Sequence, residues 1–147
     1  MLVIDTSVFV DYLFEECEDR NRKATKFFQS IKGLTVYVPR LFLIELISVA
    51  KRLGIKISKI DVEELVSDFE VLSEDIIFDE AFRVAELVHP RAADSYFIAT
   101  AKLTNSILVS SDRVMVSNGR KYGIEAYYLL EELDEVLRVV EKLKGDS

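Results

Sequence analysis

Four acidic residues interrupt apolar stretches of the chain, where a carboxylate is costly without a partner. They are Asp5, Glu45, Asp94 and Asp112. Asp5 follows the apolar run of residues 2–4, and Asp112 follows the run of residues 107–109 after two serines. If both runs are parallel strands, both acids lie at the carboxyl edge of one sheet, which is where such folds bind their ligands.

Glu45 and Asp94 are expected on helices that reach the same edge. Glu45 lies in the segment LFLIELISVA, whose apolar composition predicts a buried helix. Asp94 begins the helical segment that leads back into the run of residues 107–109. A rise of about 1.5 Å per helical residue brings both acids to the height at which the strands end. The sequence therefore predicts that all four carboxylates meet.

Carboxylates that meet without a cation repel one another and raise one another's pKa values. A hard divalent cation removes this conflict. Oxygen ligands without a cluster of His or Cys predict magnesium or manganese rather than zinc. A structural alternative stays open, because Asp5, Asp94 and Asp112 also stand where an acid caps a helix or turns the chain.

Short apolar runs and amphipathic segments alternate along the chain. The predicted strands are residues 2–4, 35–38 and 107–109, with a weaker fourth at residues 124–128. The predicted helices are residues 8–14, 21–31, 41–53, 61–69, 79–88, 94–104 and 130–143. Strands separated by helices predict an α/β protein with three layers, α/β/α, around a central, mainly parallel sheet of about four or five strands.

The length and composition of the chain set limits on its function. Its 147 residues suit a single domain over residues 1–147. A formal net charge of −7 argues against nucleic-acid binding through a broad basic surface alone, although bound cations change the local sign. The single cysteine, Cys17, excludes an intrachain disulfide and favours a cytoplasmic location. We expect no membrane association, because the longest apolar stretch is too short to span a bilayer.

The order and spacing of these residues resemble those of PIN-domain nucleases, particularly the VapC-type toxin ribonucleases of toxin–antitoxin pairs. The resemblance covers nearly the whole chain. Its motifs are a strand ending in Asp-Thr-Ser at residues 5–7, the helical Glu45, the segment Ala-Asp-Ser-Tyr-Phe-Ile-Ala-Thr-Ala around Asp94, and Leu-Val-Ser-Ser-Asp ending at Asp112.

This resemblance implies a Mg²⁺- or Mn²⁺-dependent endoribonuclease that cleaves single-stranded or looped RNA, with the four acids as metal ligands and catalytic residues. Thr6, Ser7 and Ser110 match hydroxyl positions that bind carboxylates or metal-bound water, with a turn or cap role as the alternative. The implied partners are RNA, a second copy of the chain and an antitoxin protein. Residues 114–116 are apolar where some relatives carry a further acid, so we expect a weak second metal site.

Two other functions remain open at this point. One is a metal-dependent phosphatase with Asp5 at the end of a strand, although the dehalogenase pattern requires an Asp where Ser7 stands. The other is a catalytically idle PIN-like scaffold that binds RNA or protein. Four cations near the predicted edge are either guides for an RNA backbone or ordinary surface charges: Arg91, Arg113, Arg120 and Lys121.

Overall fold

Five strands form one parallel sheet in the computed structural model, which describes residues 1–13 and 16–146. They are β1 (Leu2–Ile4), β2 (Val36–Pro39), β3 (Glu70–Leu72), β4 (Ile107–Ser110) and β5 (Ala126–Tyr128). Their order is β3-β2-β1-β4-β5, and every neighbouring pair is parallel. Because the strands all run in one direction, their carboxyl ends share one edge of the sheet.

Within these described ranges, seven helices connect the strands and an eighth follows β5. They are α1 (Thr6–Leu13), α2 (Glu18–Ser30), α3 (Leu41–Arg52), α4 (Lys59–Leu65), α5 (Glu74–Val88), α6 (Ala92–Thr104), α7 (Arg113–Lys121) and α8 (Leu129–Gly145). Helix α6 lies across β2, β1 and β4 and packs against α5, whereas α2 packs against α1 and α8. This arrangement confirms the predicted three-layer α/β/α fold with a parallel sheet. None of the eight is long and apolar enough to cross a membrane.

The central strand β1 and its neighbour β4 are buried along their length. The side chains of β1 are fully inaccessible to solvent, as are Leu108 and Val109 of β4. The ring of Phe9 on α1 packs against the rings of Phe28 and Phe42, which joins the helices of one layer. Burial on both faces explains why β1 and β4 read as unbroken apolar runs, and it fixes the position of the residues that follow them.

The sequence-based predictions lack two elements, the edge strand β3 and the helix α7. Strand β3 is mostly exposed and carries no apolar pattern. The helix before it, α4, ends at Leu65 and not at residue 69 as predicted. Helix α7 contains Gly119, a residue that lowers helix propensity. A Cβ at this position would lie 3.3 Å from the Ile124 side chain, so the glycine allows α7 to lie close to the segment that enters β5.

Helix α3 is amphipathic, so the expectation that it is buried is wrong. Phe42, Leu46 and Ala50 face the core, whereas Ile44 is 72% exposed. An apolar composition shows that a helix can be buried on every side, but it does not show how many sides other elements of the fold cover. The predicted end of the first helix, Phe14, lies outside the described residues, as does the last residue of the predicted domain, Ser147.

Candidate active site

Asp5 lies at the carboxyl end of β1 and is held there by β4. Ile4 is in register with Val109, and the Asp5 N–H donates to the Val109 carbonyl over 3.0 Å. The Asp5 side chain is buried, with 6% of the residue exposed. Its Oδ2 accepts hydrogen bonds from Ser7 Oγ at 2.7 Å and from Ser110 Oγ at 2.8 Å. Two hydroxyls therefore fix the orientation of this carboxylate.

The environment of Asp5 disfavours its charged form. Burial raises its pKa to about 6, although the hydrogen bonds from Ser7 and Ser110 act in the opposite direction. The neighbouring carboxylates of Asp94 and Glu45 raise this pKa further. Asp5 thus interacts electrostatically with two of the other three acids, and no described residue forms an ion pair with it.

Asp94 is a buried acid in the first turn of α6. The helix begins at Ala92 with Arg91 as its N-cap, so Asp94 is not the capping residue, and the capping alternative is wrong here. Burial raises the pKa of Asp94, and the charges of Asp112 and Glu45 raise it further, whereas Arg91 lowers it. The charge of Asp94 therefore interacts with the charges of all three of the other acids.

Asp112 has one carboxylate oxygen engaged in structure and the other turned toward a cation. Its Oδ1 accepts from the N–H groups of Val114 at 2.9 Å and Met115 at 3.4 Å, so the capping alternative is correct for this residue. Its Oδ2 lies 3.4 Å from Nη2 of Arg91. The capping bonds hold Asp112 in place and leave Oδ2 for interactions within the site.

Glu45 reaches the same region from α3. It lies one turn into the helix, is partly buried, and accepts a hydrogen bond at Oε1 from Thr6 Oγ1. Thr6 is the first residue of α1 and directly follows Asp5. The start of α1 therefore links a carboxylate of α3 to the carboxyl end of β1.

Hydroxyl groups connect the loops on which the acids lie. Ser7 Oγ accepts from the N–H of Ser111 at 2.9 Å, and Ser110 Oγ accepts from the N–H of Asp112 at 2.9 Å. The Oγ of Ser111 is buried and forms no hydrogen bond with any described residue. Thr6, Ser7 and Ser110 thus all contact the carboxylates or the loops that carry them.

Sequence reasoning missed the position of Arg91, which it treated as either a guide for RNA or an ordinary surface charge. The Arg91 guanidinium bridges two acids, with Nε 3.5 Å from Asp94 Oδ2 and Nη2 3.4 Å from Asp112 Oδ2. The spacing of three residues between Arg91 and Asp94 was a signal for the first pair. The second pair depends on the tertiary structure. The side chain remains 78% exposed and is free to exchange these partners for others.

The donor set fits a hard divalent cation in its chemistry. It consists of carboxylate and hydroxyl oxygens. The pKa values of Asp5 and Asp94 are raised, and a bound cation would lower both. The unpartnered Ser111 Oγ adds an oxygen beside Asp112. In the side-chain conformations described for residues 1–13 and 16–146, no three Asp, Glu, His or Cys side chains converge closely enough to hold an ion. Arg91 instead neutralises part of the charge.

Comparison with known proteins identifies the family. Residues 2–121 match the model of the PIN domain, and the chain therefore belongs to the PIN domain family. This finding confirms the resemblance derived from the acidic motifs. PIN domains are generally nucleases, so membership supports a hydrolase that acts on nucleic acid.

One curated relative and two solved structures show how far the similarity extends. Over 145 residues the chain is 30% identical to an uncharacterized KH and PIN-domain containing protein of Methanocaldococcus jannaschii. The match covers 95% of this chain and 21% of that protein, so the chain spans about a fifth of its relative's length.

The two structures share the fold at low sequence identity. FitAcB from Neisseria gonorrhoeae superposes with a TM-score of 0.64 at 16% identity and covers 86% of this chain and 96% of that chain. A toxin-antitoxin complex from Klebsiella pneumoniae superposes with a TM-score of 0.60 at 17% identity and covers 76% and 87%, respectively.

Proposed function

We propose that the protein is a metal-dependent endoribonuclease whose catalytic residues and metal ligands are Asp5, Glu45, Asp94 and Asp112. The observation that carries this proposal is the placement of Asp5 and Asp94 near the carboxyl edge of the sheet, where burial and the charges of neighbouring acids raise the pKa values of both. A cation bound here would offset these negative charges and stabilise the folded state.

Magnesium or manganese is the cation that the donor set favours. When bound, it supplies a water of lowered pKa and neutralises charge on the phosphate oxygens. The chain's own residues orient the donors: Ser7 and Ser110 hold Asp5, and Thr6 holds Glu45. Asp112 is fixed by its capping bonds to α7. We expect the substrate to be single-stranded or looped RNA, because such a site cannot reach into a regular A-form duplex. We expect the products to carry 5′-phosphate ends, because attack of a water on phosphorus with departure of the 3′ oxygen leaves the phosphate on the 5′ side.

Purified protein incubated with end-labelled RNA tests this function. We expect cleavage of unstructured RNA with Mg²⁺ or Mn²⁺, no cleavage in excess chelator, and a decrease by orders of magnitude in Asp5→Asn and Asp94→Asn. The exposed Asp79 on α5 offers a matched control, since Asp79→Asn makes the same change away from the site. Cleavage in chelator, or undiminished cleavage by both site variants, rules out the mechanism.

The same assay separates the alternatives. A protein that binds RNA but leaves it intact with every metal is a catalytically idle scaffold. Hydrolysis of a small phosphate monoester without RNA cleavage identifies a metal-dependent phosphatase. Ser7 at the position where the dehalogenase pattern needs an acid, and its contact with Asp5, favour the nuclease over the phosphatase.

We further propose that the protein acts in the cytoplasm as the toxin of a toxin–antitoxin pair and forms a homodimer. The toxin-antitoxin complex from Klebsiella pneumoniae contains a chain with the same fold, which supports an antitoxin protein as the partner. A groove between α3 and α4 suits an amphipathic antitoxin segment, since apolar side chains of both helices line it between charged residues. The apolar residues are Leu43, Ile44, Ile47 and Val62, and the charged residues are Arg40, Lys59, Glu63 and Glu74.

Co-expression with the product of the adjacent open reading frame tests this partner. We expect a complex of defined mass in light scattering, in which RNA cleavage is suppressed. Ile44→Asp places a charge in the groove and is expected to weaken the complex without changing the cleavage rate of the free protein. Retention of full inhibition by this variant contradicts the groove as the binding site.

A further inference from the structure

A second functional feature lies next to the acids, in a groove between α7 and the start of α8. The groove has a volume of about 700 Å³. Its lining residues come from α7, the end of β5 and the first turn of α8: Arg113, Val116, Ser117, Arg120, Lys121, Tyr128, Glu131 and Glu132. Three cations, two acids and one aromatic ring therefore line one groove, on a chain with a net charge of −7.

The groove adjoins the candidate active site along the chain and across the sheet. Arg113 directly follows Asp112 in the chain. Tyr128 on β5 is in register with Ser110 on β4, the residue that donates to Asp5. Neighbouring strands lie about 4.8 Å apart, so Tyr128 is one strand away from the acids. The groove therefore begins one strand and one residue away from groups of the candidate active site.

The groove combines a cation with an aromatic ring in a fixed arrangement. The Cζ of Arg113 lies 4.8 Å from the centroid of the Tyr128 ring. The Tyr128 N–H donates to Glu132 Oε1 over 2.8 Å, and Arg120 donates to the same carboxylate and to the Ala126 carbonyl. Arg120 and Glu132 thus hold the backbone that carries Tyr128. The arrangement matches the platforms on which proteins stack unpaired bases, which use aromatic rings and guanidinium planes.

Two cations of the groove are available for phosphate groups. Arg113 pairs with Glu131, but both side chains are more than half exposed, and such surface pairs contribute little to stability. A phosphate can therefore replace Glu131 as the partner of Arg113. Lys121 is exposed and forms no ion pair with any residue that the structure describes.

We propose that this groove binds a single-stranded segment of the RNA substrate, with a base stacked against the Arg113 and Tyr128 pair and phosphates on Arg113 and Lys121. The proposal rests on the ribonuclease function proposed above and adds the site that holds the strand beside the point of cleavage. It also explains how an acidic protein retains a polyanion, because the favourable contacts are concentrated in one place.

Binding of a fluorescein-labelled oligouridylate, measured by fluorescence anisotropy in excess chelator, tests the groove without cleavage. We expect Arg113→Gln and Tyr128→Leu each to weaken binding about tenfold, since a stacked base and a phosphate contact contribute on this scale. The combined Arg113→Gln and Lys121→Gln variant is expected to lower the slope of log K against log salt by about 1.4, or about 0.7 for each lost contact.

Charge-matched variants on α8 separate the groove from general electrostatics. Glu131→Gln frees Arg113 and is expected to strengthen binding several-fold. Glu135→Gln changes the net charge equally but breaks the Glu135 pair with Arg138 outside the groove, and we expect little change. Arg138→Gln is the corresponding control for Arg113→Gln.

The outcomes of binding and cleavage distinguish this proposal from the proposed function. If the groove variants alter RNA binding and the wild type cleaves nothing with any metal, the groove is supported and the nuclease function fails. If the wild type cleaves RNA and the groove variants bind like the wild type, the groove proposal is overturned alone. Equal effects of Arg138→Gln and Arg113→Gln, or tighter binding of single-stranded DNA of matching sequence, also overturn it.

Discussion

Ser110 Oγ donates a hydrogen bond to Asp5 Oδ2 over 2.8 Å, although the two residues are 105 positions apart in the chain. The contact exists because β1 and β4 are adjacent parallel strands with Ile4 in register with Val109. Their carboxyl ends therefore present Asp5 and Ser110 side by side. Ser110 also accepts from the N–H of Asp112, so one hydroxyl links two of the four acids.

Ser110→Ala is expected to raise the pKa of Asp5 above its value of about 6, because the lost hydrogen bond stabilises the carboxylate. The loss also leaves the Asp112 N–H without this acceptor, so we expect the free energy of unfolding to fall by about 1–2 kcal/mol. Titration of the Asp5 carboxyl carbon by NMR measures the first effect. Ser106→Ala removes a buried hydroxyl at the opposite end of β4 and is expected to leave the Asp5 pKa unchanged. A lower Asp5 pKa in Ser110→Ala contradicts the assigned role.

Asp5 is expected to make the metal-free protein less stable as the pH rises. Its folded pKa of about 6 lies above the ordinary value of 3.8, so the folded state holds the proton more tightly than the unfolded state. The resulting stabilisation is present below about pH 4 and is lost as the pH rises through 6, with a full size on the order of 3 kcal/mol.

Asp5→Asn removes this loss, so in chelator at pH 7.5 we expect it to melt several degrees higher than the wild type. Thermal melts between pH 4 and pH 8 measure the difference, which is expected to shrink toward pH 4. Asp11→Asn is the matched control: Asp11 is also buried, but it pairs with Arg20 at 2.9 Å, so its loss is expected to lower the melting temperature. Asp5→Asn melting no higher than the wild type contradicts the raised pKa of buried Asp5.

Arg91→Gln removes the cation that bridges Asp94 and Asp112. We expect a small loss of stability without metal, below about 1 kcal/mol because the guanidinium is exposed. We also expect Mn²⁺ to bind several-fold more tightly, since no cation has to leave the two carboxylates. Isothermal titration with Mn²⁺ measures the affinity. Arg22→Gln, which breaks an exposed pair with Asp19 on α2, is the control. Weaker Mn²⁺ binding by Arg91→Gln would show that the arginine supports the metal site rather than competing with it.

Light scattering at micromolar concentration is expected to give the mass of a homodimer. Phe78 and Phe82 are exposed neighbours on α5 with ring centroids 6.2 Å apart, and they offer an apolar surface for a second copy. Phe82→Glu is therefore expected to shift the protein toward the monomer, whereas Ile60→Glu, on exposed α4, is expected to leave the dimer intact. A monomeric wild type rules out this assembly.

The parallel core and the acids at its edge could be predicted from the order of residues alone. Unbroken apolar runs specify the buried strands β1 and β4, and an acid directly after such a run has a defined position once the strands are parallel. The same reasoning did not find β3, because an exposed edge strand needs no apolar pattern. It also did not find α7, because the reason for a glycine inside this helix is the close approach of Gly119 to Ile124, which is visible only in the folded chain.

The partners of the acids depend on the tertiary structure. Thr6 with Glu45, Ser110 with Asp5, and Arg91 with Asp112 all join separate elements, and strand register and helix placement determine these contacts. The tertiary structure also determines which acid caps a helix, since Asp112 does and Asp94 does not. The local sequence determines at which point of a strand or helix a carboxylate lies. Its pKa depends on burial and on neighbouring charges, which come from residues far along the chain.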